Sequence, residues 1–292
     1  MINFVTNNAT YYMGVIYSLI SPIIEHLDNY IVSEKAKDGY INVHFFKEPQ
    51  YLKAVTVKGK NVFLSHGLAD KNWAVYKDME SFDYINVPGD LWYNKMINQG
   101  CPEEKLFIGG YSKIDFLYNK NQPKNNKKII LWCPTHNTRP NAPKNFSSYP
   151  YFKNYIQQIP NEFEFIESAH PANKDHRNPT SLELLFADVI ISDYSSAFYE
   201  AWSLGKPVIF PDFLVKDYIL NYSHGTFEEE IYKENIGYHA TDMNELIKLL
   251  YLALENGIDT KANNFIEGIL PKKLRGNSGK TIAEFLNKID KE

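Results

Sequence analysis

The sequence predicts an α/β fold of two Rossmann-like halves, and three observations carry that expectation. Short runs rich in β-branched and aromatic residues alternate with stretches of helical periodicity. Several runs end in turn-forming residues, such as Ser65-His66-Gly67, Pro88-Gly89 and Gly109-Gly110, the pattern of a parallel sheet whose strand C-termini carry binding loops. A wholly polar stretch at 119–127 then separates one series of such units from a second.

In the first series, residues 2–5 read as a strand and 11–27 as a helix bent or broken near Pro22. Short strands follow at 30–32 and 41–46, another at 61–64 runs into His66, and 84–87 ends at Pro88-Gly89. Asp90 starts a helix through Gln99, and a strand at 106–108 with a helix at 112–118 completes the series. Beyond the polar stretch, strands are expected at 128–132 and 163–166, with a helix at 151–159 between them. A helix at 182–187 precedes the most informative stretch, 188–211. There Val189-Ile190-Ile191 suits a strand buried on both faces. Asp193-Tyr-Ser-Ser196 starts a helix, Gly205 stops it, and 207–210 is the next strand. Helices at 213–222 and 227–234, a strand at 236–240, and helices at 243–254 and 283–289 close the chain. The expected domains are 1–120 and 121–292, with the last helix able to pack back on the first.

Composition is that of an ordinary globular protein: of 292 residues, 44% are hydrophobic and 23% charged. A net charge of -4 lacks the basic footprint of a nucleic-acid binder. Cys101 and Cys133 are the only cysteines and have no metal-ligand spacing, which points to a reducing cytoplasm without disulfides or zinc. Residues 1–24 carry no charged side chain, but Asn3, Asn7, Asn8 and Pro22 interrupt them. They read as a strand and an amphipathic helix rather than a signal or a span, with peripheral contact at the inner membrane face as an open alternative. No Gly-x-Gly-x-x-Gly or Gly-x-x-x-x-Gly-Lys follows a strand, which argues against dinucleotide dehydrogenases and P-loop enzymes.

The turn after Ile191 is expected to be a phosphate seat. A helix N-terminus offers unpaired N–H groups and about half a positive charge, and two serine hydroxyls accompany it here. An ordinary capped helix is the plainer reading. Ser65-His66-Gly67, Pro134-Thr135-His136 and His170-Pro171 fall at other strand ends. Together with 193–196 and Gly110-Tyr-Ser-Lys-Ile-Asp115, these motifs resemble the CDP-glycerol glycerophosphotransferase family of teichoic acid and capsule synthesis. That family shows Trp-His-Gly-Thr, Gly-Tyr-Pro-Arg-x-Asp, Ala-Pro-Thr, His-Pro and Asp-Tyr-Ser-Ser segments in this order. Gly276-Asn-Ser-Gly-Lys-Thr-Ile282 is similar to its closing Gly-x-Ala-Ser-Glu-Arg-Ile. The resemblance runs from about residue 61 to the end. Ser65 for Trp, Leu68-Ala69 for Thr-Pro and Ser112-Lys113 for Pro-Arg are departures, all in the acceptor-side half.

The resemblance implies a GT-B-type architecture of two Rossmann-like domains with the site in the cleft between them. It implies transfer of glycerol phosphate, or a related polyol phosphate, from a CDP-linked donor to a glycan or lipid-linked acceptor, with CMP released. His66 is then the general base that deprotonates the acceptor hydroxyl, a role in which imidazole contributes roughly 10²–10⁴ in rate. Asp70 is its candidate orienting partner. His170 would bind the donor diphosphate, Ser195 and Ser196 would supply hydroxyl and N–H donors, and Thr135 and His136 would face the same cleft. Arg139 would neutralise phosphate charge, Lys113 would stand in for the family's arginine as a point charge, and Ser278 would close over the phosphates. Asp193 would repel phosphates and is expected to order the turn, with a metal-holding role as the alternative. No Asp-x-Asp motif advertises a metal, so no cofactor is assigned, with magnesium on the diphosphate an open alternative.

The nearest competitor is a glycosyltransferase using a CMP-sugar such as CMP-sialic acid, which also pairs His-Pro with a Ser-Ser turn. Its acidic general-base motif is not found in the first half. A UDP-sugar transferase or epimerase on the same fold comes third. A non-catalytic nucleotide-binding subunit of a polysaccharide assembly complex would keep the phosphate turn and need not keep His66.

Overall fold

A computed structural model describes residues 1–7, 13–46, 57–71, 76–118, 120, 125–137, 146–170 and 180–292. Its first strands are β1 (Ile2–Val5), β2 (Tyr30–Ser33), β3 (Tyr40–His44), β4 (Gly59–Phe63), β5 (Tyr84–Val87) and β6 (Leu106–Ile108). Then come β7 (Ile129–Cys133), β8 (Glu164–Glu167), β9 (Val189–Ser192), β10 (Val208–Pro211) and β11 (Tyr238–Ala240). The helices are α1 (Met13–Ile24), α2 (Asp90–Asn98), α3 (Asp115–Tyr118), α4 (Thr180–Phe186) and α5 (Ser196–Ser203). They continue with α6 (Asp212–Tyr222), α7 (Phe227–Lys233), α8 (Met243–Asn256), α9 (Thr260–Ile269) and α10 (Ser278–Asp290). The chain divides into two compact units, Met1–Leu68 with Ala74–Asn119 and Glu267–Glu292, and Ala69–Trp73 with Lys120–Ile266. Among the described residues no helix is long and apolar enough to cross a membrane.

The first unit is built on a parallel sheet in the order β2-β1-β3-β4-β5-β6. The chain leaves β1 to one side and returns to the other, so a topological switch point lies between β1 and β3. Asn3, Asn42 and Asn61 are partners in register across three strands. Asn3 Nδ2 donates to Asn42 Oδ1 at 2.9 Å, and His44 Nε2 lies 3.0 Å from Asn61 Oδ1, so these buried polar groups satisfy one another. Burial pushes the His44 imidazole below its ordinary range, and that ring belongs to the sheet.

Helix α1 runs through Pro22 to Ile24 instead of breaking there, with the proline in its last turn. It buries Ile16, Leu19, Ile20 and Ile23. Gly279 of α10 lies so close to Pro22 that a Cβ would overlap the Pro22 carbonyl oxygen. Helix α9 is not anticipated by the sequence, since adjacent asparagines and Gly268 weaken its propensity. Its buried Ala262, Phe265, Ile266 and Ile269 nevertheless mark one helical face.

Asp115 fastens the start of α10, accepting hydrogen bonds from Gly276 N–H at 3.1 Å and Gly279 N–H at 2.7 Å. Burial pushes its carboxyl up to about 7 from 3.8, against the opposing pull of those amides. The folded state therefore holds an extra proton between these two values. The stability this contributes is complete at the acid end and is lost as pH rises through about 7. Melting temperature should fall from pH 5 to pH 8 more steeply in the parent than in Asp115→Asn, which has no proton to lose. Equal slopes would refute the assignment.

The second unit carries a parallel sheet in the order β11-β10-β9-β7-β8. Its switch point lies between β7 and β9, because β8 flanks β7 on one side and β9 on the other. Strands β7, β9 and β10 are buried along their whole length, which is what the β-branched run at 189–191 requires. Trp132, Phe152, Ile191, Leu246 and Leu250 form the centre of its core. The helix expected at 151–159 is a 3₁₀ segment, Tyr151–Gln158. Cys101 and Cys133 are buried free thiols, and burial pushes both up and away from the reactive thiolate.

Candidate active site

One carboxylate ties together the turns that meet at the β7/β9 switch point. Asp193 follows β9 and is fully buried. Its Oδ1 accepts from Thr135 N–H at 2.8 Å and Tyr194 N–H at 2.6 Å. Its Oδ2 accepts from Ser148 N–H at 2.8 Å, Ser148 Oγ at 2.7 Å and Ser147 Oγ at 3.3 Å. The acid is thus balanced by donors of the fold itself and is spent on ordering three segments of chain.

The turn that Asp193 holds leads into α5. Ser195 occupies the N-cap position but makes no side-chain cap. Its hydroxyl turns back, donating to Cys133 O at 3.3 Å and lying 3.0 Å from Ser192 Oγ. The first-turn amides of α5 are therefore not taken by the N-cap side chain, at the position where open α/β sheets bind ligands. Ser196 Oγ accepts Ala69 N–H at 3.2 Å. Ser195 and Ser196 are both half-buried.

Two imidazoles stand at the ends of the neighbouring strands. His136 follows β7 and His170 follows β8, their ring centroids are 4.9 Å apart, and both are half-buried. Each can donate an N–H to a phosphate oxygen. Thr135, expected to face ligand, is only 1% exposed. Its hydroxyl is committed internally, donating to Tyr194 O at 3.1 Å and accepting from Lys71 Nζ at 2.7 Å. Arg139 and Pro171 lie outside the described residues.

In the first unit, His66 follows β4 on a turn braced by Ser65 Oγ, which donates to Gly67 O at 2.7 Å. His66 Nδ1 is 2.9 Å from Phe45 O. A carbonyl only accepts, so Nδ1 carries the proton and the neutral ring keeps its lone pair on Nε2. The ring packs on Phe46 with centroids 4.8 Å apart, and Tyr111 OH donates to the His66 carbonyl at 3.1 Å. Asp70 has its carboxylate on Phe227 N–H at 3.0 Å, so the orienting partner seen at His66 is a backbone carbonyl.

Lys113 is half-buried in the 3₁₀ turn Ser112–Ile114 of the same unit, where Ser112 Oγ donates to Leu19 O at 2.7 Å. Ser278 does not present its hydroxyl to ligand as expected. It is 0% exposed and donates to Leu274 O at 2.8 Å. Its side chain fills the space left by Gly110 (φ +82°), where a Cβ would overlap Ser278 Oγ. The closing segment is a packing element of the first unit.

Residues 24–265 match the family described as CDP-Glycerol:Poly(glycerophosphate) glycerophosphotransferase. The chain belongs to this family. Among glycerophosphotransferase relatives, the teichoic acid poly(glycerol phosphate) polymerase of Bacillus spizizenii is 25% identical over 165 residues, 46% of this chain and 42% of that protein. The teichoic acid glycerol-phosphate primase of Bacillus subtilis is 29% identical over 167 residues, 49% of this chain and 42% of that protein. The chain thus spans less than half the length of these curated relatives. The wall teichoic acid polymerase TagF is similar over 100% of this chain and 89% of its own, with TM-score 0.67 and 15% identity. A UDP-GlcNAc 2-epimerase from Neisseria meningitidis is similar over 98% of both chains, with TM-score 0.58 and 15% identity. These likenesses give the fold as the GT-B type with two Rossmann-like units.

Sequence reasoning does not single out Ser147, Ser148, Tyr194, Glu228 or Lys71, which hydrogen bonds tie to Asp193, to Thr135 or to one another. Ser147 and Ser148 sit 45 or 46 positions from Asp193, in a loop with no local pattern of its own. Lys71 had a signal that went unread: a cation five positions after His66, close behind the histidine-glycine turn.

Proposed function

We propose that this glycerophosphotransferase moves glycerol phosphate, or a related polyol phosphate, from a CDP-linked donor to a hydroxyl of a cell-surface glycan or lipid-linked acceptor. The observation that carries the reading is the start of α5 at the β7/β9 switch point, left uncapped by Ser195 and braced by buried Asp193. His136 and His170 flank it on the adjacent strand ends. The second unit is then the donor side, and the first, with His66, the acceptor side. The names of the relatives, a teichoic acid polymerase and a primase, support the substrate class, and the CDPG soak of TagF supports the donor.

In the reaction, His66 Nε2 takes the proton of the acceptor hydroxyl as its oxygen attacks the β-phosphorus. The bond from that phosphorus to the bridging oxygen breaks, and CMP leaves with the oxygen. Amides of α5, the Ser196 hydroxyl and the two imidazoles offset charge on the phosphates, the main demand that phosphoryl transfer makes of a protein. The enzyme would work on the cytoplasmic side of the membrane, where a nucleotide-linked donor and a lipid-linked acceptor can meet.

A thermal-shift screen of CMP, CDP-glycerol, CDP-ribitol, CMP-sialic acid and UDP-sugars tests the donor. A ligand bound only by the folded state adds about 2.7 kcal/mol at a hundredfold excess over its Kd. CDP-glycerol or CDP-ribitol should give the largest shift. A response confined to UDP compounds would end the reading.

A further inference from the structure

Residues 69–71, which follow directly on the His66 turn, belong to the second unit and are bonded there. The N–H groups of Asp70 and Lys71 donate to the two oxygens of Glu228, each at 2.9 Å. In return the Asp70 carboxylate accepts Phe227 N–H at 3.0 Å. Glu228 is fully buried and also accepts Tyr199 OH at 2.8 Å. Lys71 itself sits at φ +47°, in the left-handed region that residues with a side chain rarely adopt. The result is a fixed direction for its side chain. Nζ lies 2.7 Å from Thr135 Oγ1 and 5.0 Å from the centre of the Tyr194 ring. Thr135 and Tyr194 are the residues at which the β7 and β9 turns meet.

A left-handed lysine and a buried carboxyl pair are each locally unfavourable. Together they fix the Lys71 ammonium beside the Thr135 hydroxyl and the Tyr194 ring face, at the turn that leads into α5. Arginine does not fill this role in the described part of the second unit. Arg275 belongs to the first unit, where it bonds Glu267 at 3.2 Å and Leu270 O at 2.8 Å. We propose that Lys71 is a phosphate-binding cation of the donor seat. Its ammonium neutralises the diphosphate whose other oxygens take the α5 amides, and Glu228 holds the backbone that aims it. The proposal rests on the donor reading above and adds the residue that supplies positive charge.

The test is calorimetric titration of the full chain and its Lys71 variants with CDP-glycerol, cytidine and inorganic pyrophosphate. Lys71→Met should weaken CDP-glycerol and pyrophosphate alike, by about 10- to 100-fold, and leave cytidine unchanged. Lys71→Arg should stay within a few-fold of the parent. Lys71→Gly relieves the left-handed backbone while removing the ammonium, so it should fold at least as well as the methionine variant and show the same loss. Unchanged pyrophosphate and CDP-glycerol binding in both neutral variants would overturn the proposal, as would an equal loss for cytidine, the mark of a merely structural role. If the parent binds pyrophosphate but no cytidine compound, the cytidine donor reading fails while the pyrophosphate series still decides Lys71. If the parent binds none of the three, both fall.

Discussion

Substitution of His66 by alanine should lower kcat by roughly 10²–10⁴ and leave CDP-glycerol binding within a few-fold of the parent. The asymmetry follows from where the residue sits. Its Nδ1 proton is committed to Phe45 O at 2.9 Å and Phe46 packs against the ring, so the base role assigned to it falls to Nε2. Removing a base that acts only as the acceptor oxygen attacks raises the barrier without touching donor contacts made in the ground state. CMP release followed in steady state, beside calorimetry with CDP-glycerol, separates the two effects. Full turnover in the alanine variant would remove His66 from the mechanism and favour another base.

How much of this site was legible depends on how local its physics is. The stretch 188–211 announces its strand, turn and helix because every signal lies within one unit: a β-branched run, helix-starting side chains and a stopping glycine at φ +74°. His66, His136 and His170 were legible as strand-end residues for the same reason. The direction of a hydroxyl is a different matter. Thr135 looks alike in sequence to Ser196, yet it turns inward because Lys71 and Tyr194, on other segments, claim its hydroxyl, while Ser278 turns onto Leu274 O four positions earlier. Glu228 meets the Lys71 amide 157 positions away, and nothing near either residue foretells the pairing. Helix α9 was hidden for an opposite reason: its local propensity is poor and its burial supplies the stability.

Asp193 should be the residue whose loss the fold tolerates least. In Asp193→Ala the N–H groups of Thr135, Tyr194 and Ser148 lose their acceptor in a site with no exposure to water. At about 1–3 kcal/mol for each buried donor left unpaired, the variant should lose roughly 3–9 kcal/mol, a large part of an ordinary domain's stability. Asparagine keeps one acceptor oxygen but presents an NH₂ to donors, so Asp193→Asn should fall between the parent and alanine. The midpoint of urea unfolding followed by tryptophan emission reads the loss, since Trp132 Nε1 donates to Ser148 Oγ at 3.1 Å and reports on the same loop. Activity should fall in step with stability in both variants, because the Ser195–Ser196 turn relaxes when its brace goes. A variant that keeps the parent's midpoint yet loses all turnover would show the carboxylate acting on substrate or on a bound cation, and the structural account of Asp193 would have to be withdrawn.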